Sequence, residues 1–311
     1  MIYNKRPNDR CKRAVIPLLF STSLAECYED LKQVLELIGY ERHKWMIVSD
    51  LKIINCIMGL KPGWCKFHCI YCLWDTRFKR ADQQYHYDKR HDLRTSYAVN
   101  GDQSIEKPPL VPVDRIWLPP LHVKLGCFQQ FIKSLAPGSS QNGNIEAIEF
   151  LVEKFKSTKT RAKVLSGTFD GPDLRKLVFK FGGEFRSKLS ENEKRCWDCL
   201  CDLWVNFFGN HRSDDYRMKI DNLINAFRTN SINVSTKIHY LIHHLDHFPP
   251  NCGFLGEEKG ENLHQEFKIF VRRFKTNLVG LVAHYLWSKK IEDPALVEQV
   301  RKIRNSNFHM Y

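Results

Sequence analysis

Ser23-Leu24-Ala25-Glu26-Cys27-Tyr28 begins the most informative part of the chain, which runs on to Trp45-Met46-Ile47-Val48-Ser49-Asp50. Ser23 and Glu26 have the spacing of a capping box, a hydroxyl and a carboxylate each able to satisfy a backbone N–H at a helix start. Leu24, Cys27, Tyr28, Leu31, Val34, Leu35 and Ile38 then recur at three- and four-residue intervals as far as Gly39, which predicts an amphipathic helix. Ala14–Phe20 ahead of it is apolar enough for a strand. Trp45–Val48 behind it is a short run of the buried-strand kind, closed by Ser49-Asp50. Strand, helix, strand and terminal acid together predict the beginning of an α/β core.

A further helix is expected from about Leu51. From Gly59 to about Gln103 the chain is polar, carries Gly, Cys and His, and shows no clear period, so it reads as an insertion held by something other than an apolar core. Pro-rich turns at Pro108–Pro112 and Pro119-Pro120 lead into a helix over Leu121–Leu135, followed by a loop over Pro137–Asn144. Apolar stripes then predict helices at Ile145–Phe155, Asn192–Phe208, Asp215–Arg228, Ser235–Phe248 and Glu258–Phe274. The expected organisation is a partial core at 1–58, a metal-binding insertion at 59–105, a return to the core at 106–135, a helical insertion at 136–234, C-terminal helices at 235–290 and a tail at 291–311. The fold class is α/β at the core and α-rich overall.

With 48 basic residues against 35 acidic ones the net charge is +13, which favours a polyanionic partner such as nucleic acid or an acidic membrane and leaves the choice open. Lys79-Arg80, Arg272-Arg273 and Lys289-Lys290 are dispersed, so a merely solvated basic face is the competing reading. A hydrophobic content of 43% with 12% aromatics excludes a mainly disordered chain. Leu278–Trp287, the longest apolar run, falls well short of the ~20 residues that span a bilayer, and no membrane association is expected. Eleven cysteines, several only three or four residues apart, suit metal ligation in a reducing compartment, nuclear or cytoplasmic.

Cys65-Lys66-Phe67-His68-Cys69-Ile70-Tyr71-Cys72 is the densest cluster of potential ligands and admits two metals. Cys65, Cys69 and Cys72 form a C-x3-C-x2-C triplet similar to that of radical S-adenosylmethionine enzymes, in which three thiolates hold an iron–sulfur cluster. Gly182-Gly183-Glu184 is similar to a further segment of that family, but it lies over a hundred residues downstream on a helical stretch. The alternative is structural zinc, with Cys69 and Cys72 as one ligand pair and His86 and His91 as the other. Cys65 and His68 are spare candidates, and unliganded thiols in an irregular loop are the bland reading. Cys196, Cys199 and Cys201 lie within a helical stripe with Trp197, Leu200 and Trp204, and read as buried thiols.

His239, His243 and His247 share one face of a predicted helix, with His244 beside them, and Glu257, Glu258, Glu261, His264 and Glu266 follow. A histidine stripe by itself reads as packing or surface. Its interest lies in the acids nearby, because phosphoryl transfer with two divalent ions needs carboxylates from separate elements. Asp50 at a strand end and Glu261 on a distant helix have such placements.

These residues carry a resemblance. Val48-Ser49-Asp50 with Gly59, Gly63 and the Cys69/Cys72 pair resembles the corresponding segment of CACTA-type transposases. The chain resembles more closely transposon-derived proteins of animal genomes, through Cys69–Asp75, Leu118–Gly126, Phe169-Asp170-Gly171-Pro172, Lys237-Ile238-His239 and His244–Pro249, then through Gly260-Glu261 to His264-Gln265. The matches recur in order from about Val15 to about Trp287. The resemblance implies an RNase H-like core, here an incomplete sheet, with a DDE-type site in which Mg²⁺ or Mn²⁺ drives DNA strand cleavage and joining. Asp50 matches the second acid and Glu261 the third, with Glu258 as the fallback. In related chains the His91 position is often aromatic, which makes His91 a less secure ligand than His86. The strand that bears the first acid lies upstream of this unit in that superfamily. Only Asp9 precedes Ala14 here as an acid, so the expectation is an incomplete triad, an inactive enzyme, and a scaffold that retains DNA or protein contacts.

Overall fold

The computed structural model describes residues 24–63, 65–77, 86–87, 91–99, 104–138, 143–274 and 280–285. Residues 26–257 form one compact unit, and the segment from Glu258 onward belongs to another.

Helix α1 (Tyr28–Leu37) realises the first periodic stretch, with Leu31, Leu35 and Ile38 packed against the core. It begins at Tyr28 behind Cys27, which contributes no side-chain cap, and the expected cap Ser23 lies outside the described residues. Gly39 ends it at φ 64°, the left-handed conformation that closes a helix at little cost only for glycine, with its N–H donated to the Glu36 carbonyl at 3.0 Å. After the single turn α2 (Tyr40–His43), Ile47 is held by two bonds: its N–H donates to the Arg115 carbonyl and its carbonyl accepts from Trp117 N–H, both at 2.8 Å. This makes one parallel bridge, Ile47 to Ile116.

That bridge is as far as the expected sheet extends. Among the described residues the other pairings are isolated antiparallel bridges, Leu60 with Ile105, Phe67 with Asp75 and Cys72 with Leu93. The molecule is α-rich, as expected, but an RNase H-like sheet is not formed by the described residues, and Ala14–Phe20 lies outside them. Asp50 does follow the extended segment. Its carboxylate caps α3 (Leu51–Ile57), accepting the Ile53 N–H at 2.9 Å.

The core is built around α4 (Pro120–Ser134), which buries Val123, Cys127, Phe128, Phe131 and Ile132. Pro119 offers no capping side chain at its start. Glu257 fills that role from a remote part of the chain, one carboxylate oxygen accepting both the His122 N–H at 2.8 Å and its ring Nδ1–H at 2.9 Å. The chain continues through α5 (Ile145–Phe155), α6 (Arg161–Leu165), α7 (Gly171–Phe179), α8 (Gly182–Ser187), α9 (Glu191–Asn206) and α10 (Tyr216–Thr229), of which α6, α7 and α9 pack directly on α4. Ser190 and Glu193 complete a capping box at the head of α9. Trp197 on α9 meets Phe128, Phe131 and Phe185 at ring separations of 5.9, 6.3 and 4.9 Å, so the aromatic content is concentrated where α4, α8 and α9 converge. Cys196 is buried there and receives the Asn230 amide at 3.0 Å, as a packed thiol rather than a ligand.

Helix α11 (Thr236–His243), capped by Ser235, is shorter than the sequence pattern suggests. His244 leaves helical geometry at φ −128°, ψ 38°, and Leu245–His247 forms a single 3-10 turn before Pro249-Pro250. Two proline residues cannot continue a helix, and the chain breaks one turn early to reach them. A four-residue turn α12 (Cys252–Leu255) ends this unit. In the other unit α13 (Glu258–Phe274) carries Glu258 and Glu261 in its first turn, and Phe267 meets Tyr285 edge to face at 5.6 Å.

Candidate metal centre

The Cys69–Cys72 segment is pinned to the core by backbone groups that a mobile loop would leave to water. Arg94, itself buried, donates to the Cys69 carbonyl at 2.9 Å and to the Phe67 carbonyl at 3.0 Å. Tyr97 donates its hydroxyl to the Ile70 carbonyl at 2.7 Å, and Tyr71 donates to the Ile116 carbonyl at 3.1 Å. Ile70 N–H donates to the Tyr240 hydroxyl at 3.4 Å, which ties the segment to α11. Tyr71 N–H points at Cys69 Sγ at 3.4 Å, a contact that favours a thiolate there.

Against this segment α11 and its irregular end place two imidazoles. Cys72 Sγ stands 3.3 Å from His239 Nε2 and 3.3 Å from His244 Nε2, and Cys69 Sγ stands 3.3 Å from His244 Nε2. All four residues are buried, and one donor atom from each lies within 4.8 Å of the others. A tetrahedral ion with bonds of about 2.3 Å to sulfur and 2.0–2.1 Å to nitrogen has S···N edges of about 3.5 Å. The observed separations are close to that value, so two thiolates and two imidazoles are set out as a tetrahedral ligand set.

The electrostatics agree with this chemistry. The hydrogen bond from Cys69 holds the Cys72 thiol well below the usual thiol range, with His239 and His244 adding to the effect, while burial pushes the Cys69 thiol up. Burial lowers His239 to about 3, so its ring is neutral and ready to ligate at pH 7. Trp74 stacks on His239 at 4.2 Å, and His247 stacks on Tyr71 at 3.7 Å, which orients the rings around the site.

The structure thus brings Cys69 and Cys72 together with His239 and His244, and places His86 and His91 differently. His86 Nδ1 accepts the Trp74 indole N–H at 3.0 Å, outside the cluster. His91 belongs to a neighbouring group with His239 and His243. Cys65 turns to His68, 3.6 Å from its Nδ1, so the three cysteines do not gather as an iron–sulfur triplet. Asp50 is engaged as a helix cap and is in neither group; Glu258 and Glu261 lie on α13 in the other unit. His239 and His244 were signalled only by the histidine-rich stretch, whose regular helical reading pairs His239 with His243 and His247.

Comparison with known proteins gives two matches. Residues 8–111 match a family model described as "Domain of unknown function (DUF8703)" and residues 120–209 match one described as "Domain of unknown function (DUF8704)". No curated protein and no solved structure matches the chain. The two cysteines fall within the first matched stretch, whereas His239 and His244 lie beyond the second, so the candidate centre joins a matched stretch to a part of the chain that neither family model covers.

Proposed function

We propose that Cys69, Cys72, His239 and His244 hold one structural zinc ion, on a scaffold derived from a DDE-type transposase that contacts DNA. The observation that carries the zinc reading is the buried set of two sulfurs and two nitrogens, with three S···N edges of 3.3 Å and all donors within 4.8 Å of one another. Four protein donors leave no open position for water or substrate, which separates a structural ion from a catalytic one. Elemental analysis of the purified chain tests it. The expected result is about one zinc per chain, kept by His86→Ala and lost by Cys72→Ala or His244→Ala; iron with sulfide, or zinc retained by both ligand variants, overturns it.

The transposase ancestry rests on the ordered motifs described above and is favoured by one local feature. Ile47 pairs in parallel with Ile116, and Asp50 follows three residues on, an acid beside the end of two parallel segments. In this reading Asp50 and Glu261 are the acids that would take Mg²⁺ or Mn²⁺, and the net charge of +13 serves the DNA backbone. Duplex binding measured across a salt series is expected to weaken steeply with salt and to survive Asp50→Ala. Mn²⁺-dependent nicking that persists in Asp50→Ala would remove Asp50 from any catalytic role.

A further inference from the structure

His239 has two ring nitrogens, and the candidate zinc centre uses one of them. Nε2 faces Cys72, whereas Nδ1 is buried with no hydrogen-bond partner among the described residues. A ligating imidazole ordinarily gives its second nitrogen to a carbonyl, a carboxylate or water, and an unsatisfied buried N–H is costly. Around the same ring the structure gathers two more imidazoles. One ring nitrogen each from His91, His239 and His243 lie within 4.8 Å of one another, with ring centroids 5.7 Å (His91–His239), 4.8 Å (His239–His243) and 5.5 Å (His91–His243) apart. His243 Nε2 stands 3.5 Å from the His86 carbonyl oxygen, the type of outer partner that orients a ligating ring.

We infer that His91, His239 and His243 form a second cation site, open on one side, that shares His239 with the cysteine-containing centre. Three imidazoles without a carboxylate or thiolate suit a borderline divalent ion such as Zn²⁺, Co²⁺ or Cu²⁺, and not Mg²⁺ or Ca²⁺. His91 and His243 are half-buried, so the ion has a route from solvent and keeps at least one exchangeable position. With both sites filled, one through each of its ring nitrogens, His239 would bridge the two ions as an imidazolate. Its Nδ1 proton is then released to solvent as the second ion binds. The inference rests on the zinc reading only through His239.

Cobalt titration of the full, tag-free chain, stripped of metal and kept reduced, tests this. Thiolate-to-cobalt charge-transfer absorption reports the first centre, and a site made only of imidazoles lacks it. Two equivalents of Co²⁺ are expected, the first building the charge-transfer band and the second adding ligand-field absorption alone with release of about one proton. The double variant His91→Gln/His243→Gln should keep the first equivalent with its band and lose the second; His243→Gln alone should weaken the second at least tenfold. The retained band also shows that the variants are folded. Saturation of the unaltered chain at one equivalent that carries the charge-transfer band, or two equivalents in the double variant, overturns the inference. Absence of the charge-transfer band in every protein overturns the zinc reading instead, and one cobalt lost on His243→Gln would still support the histidine site.

Discussion

Cys72 Sγ and His239 Nε2 meet at 3.3 Å although 167 positions of chain separate them. A bound ion there closes a long loop, and its free energy of binding becomes free energy of folding, because the unfolded chain has no such site. The stretch 59–105 buries Ile70, Tyr71, Trp74 and Tyr87 in the core, contrary to its polar reading as an insertion without one, and such an ion would add to the Ile70–Tyr240 bond that ties it to α11.

Removing the ion should therefore be costly. An ion present at 100 to 1,000 times its dissociation constant contributes about 3–4 kcal/mol, or roughly 10 °C in a domain of this size. Chelation, Cys72→Ala and His239→Ala are each expected to lower the melting temperature by about that amount. Cys65→Ala and His86→Ala should leave the ion bound. Differential scanning calorimetry with and without chelator distinguishes the ligand residues from their neighbours.

Acid should destabilise the metal-free protein in a defined window. His239 at about 3 and His243 at about 4 are depressed by burial from an ordinary value of 6.5. Between those values and 6.5 the unfolded chain binds more protons than the folded one. The contribution of the neutral rings is complete above about pH 6.5 and is lost as pH falls toward the folded values, with a slope approaching ~1.4 kcal/mol per pH unit for each ring and less for the half-open His243. Urea midpoints that stay level from pH 7 down to pH 4 would contradict this.

Asp50 has a structural role whatever else it does. Its carboxylate accepts the Ile53 N–H at the start of α3, so Asp50→Ala should cost about 1 kcal/mol while Asp50→Asn costs only a few tenths. Denaturant titration of the two variants measures the difference, and a loss of DNA nicking in Asp50→Asn at unchanged stability would separate a catalytic role from capping.

Two glycines near the insertion provide a matched pair. Gly59 has φ 67°, and a Cβ there would lie 1.8 Å from the Lys107 carbonyl oxygen, whereas a Cβ on Gly63, at φ 82°, would meet nothing within 4 Å among the described residues. Gly59→Ala should cost well over ~2 kcal/mol because backbone must move, and Gly63→Ala about 1–2 kcal/mol from the left-handed conformation alone. Equal unfolding midpoints for the two variants would show that the close approach to Lys107 is not maintained in solution.

Local patterns in the chain were enough to place α1, α4, α5, α9 and α10 to within a few residues, because an apolar stripe of helical period and a cap are properties of neighbouring residues. Cys69 and Cys72 were legible for the same reason: both ligands of the pair belong to one short segment. The strand reading of Trp45–Val48 reduced to a single bridge, since a strand exists only by pairing and its partner segment at Ile116 is remote. The histidine partners were likewise a matter of tertiary structure. A nearest-in-sequence rule selects His86 and His91, but His86 is taken by Trp74 and His91 stands with His239 and His243. Early termination of α11 before the two prolines turns His244 away from the helical stripe, and this break in regular geometry, which periodicity cannot represent, completes the ligand set with Cys69, Cys72 and His239.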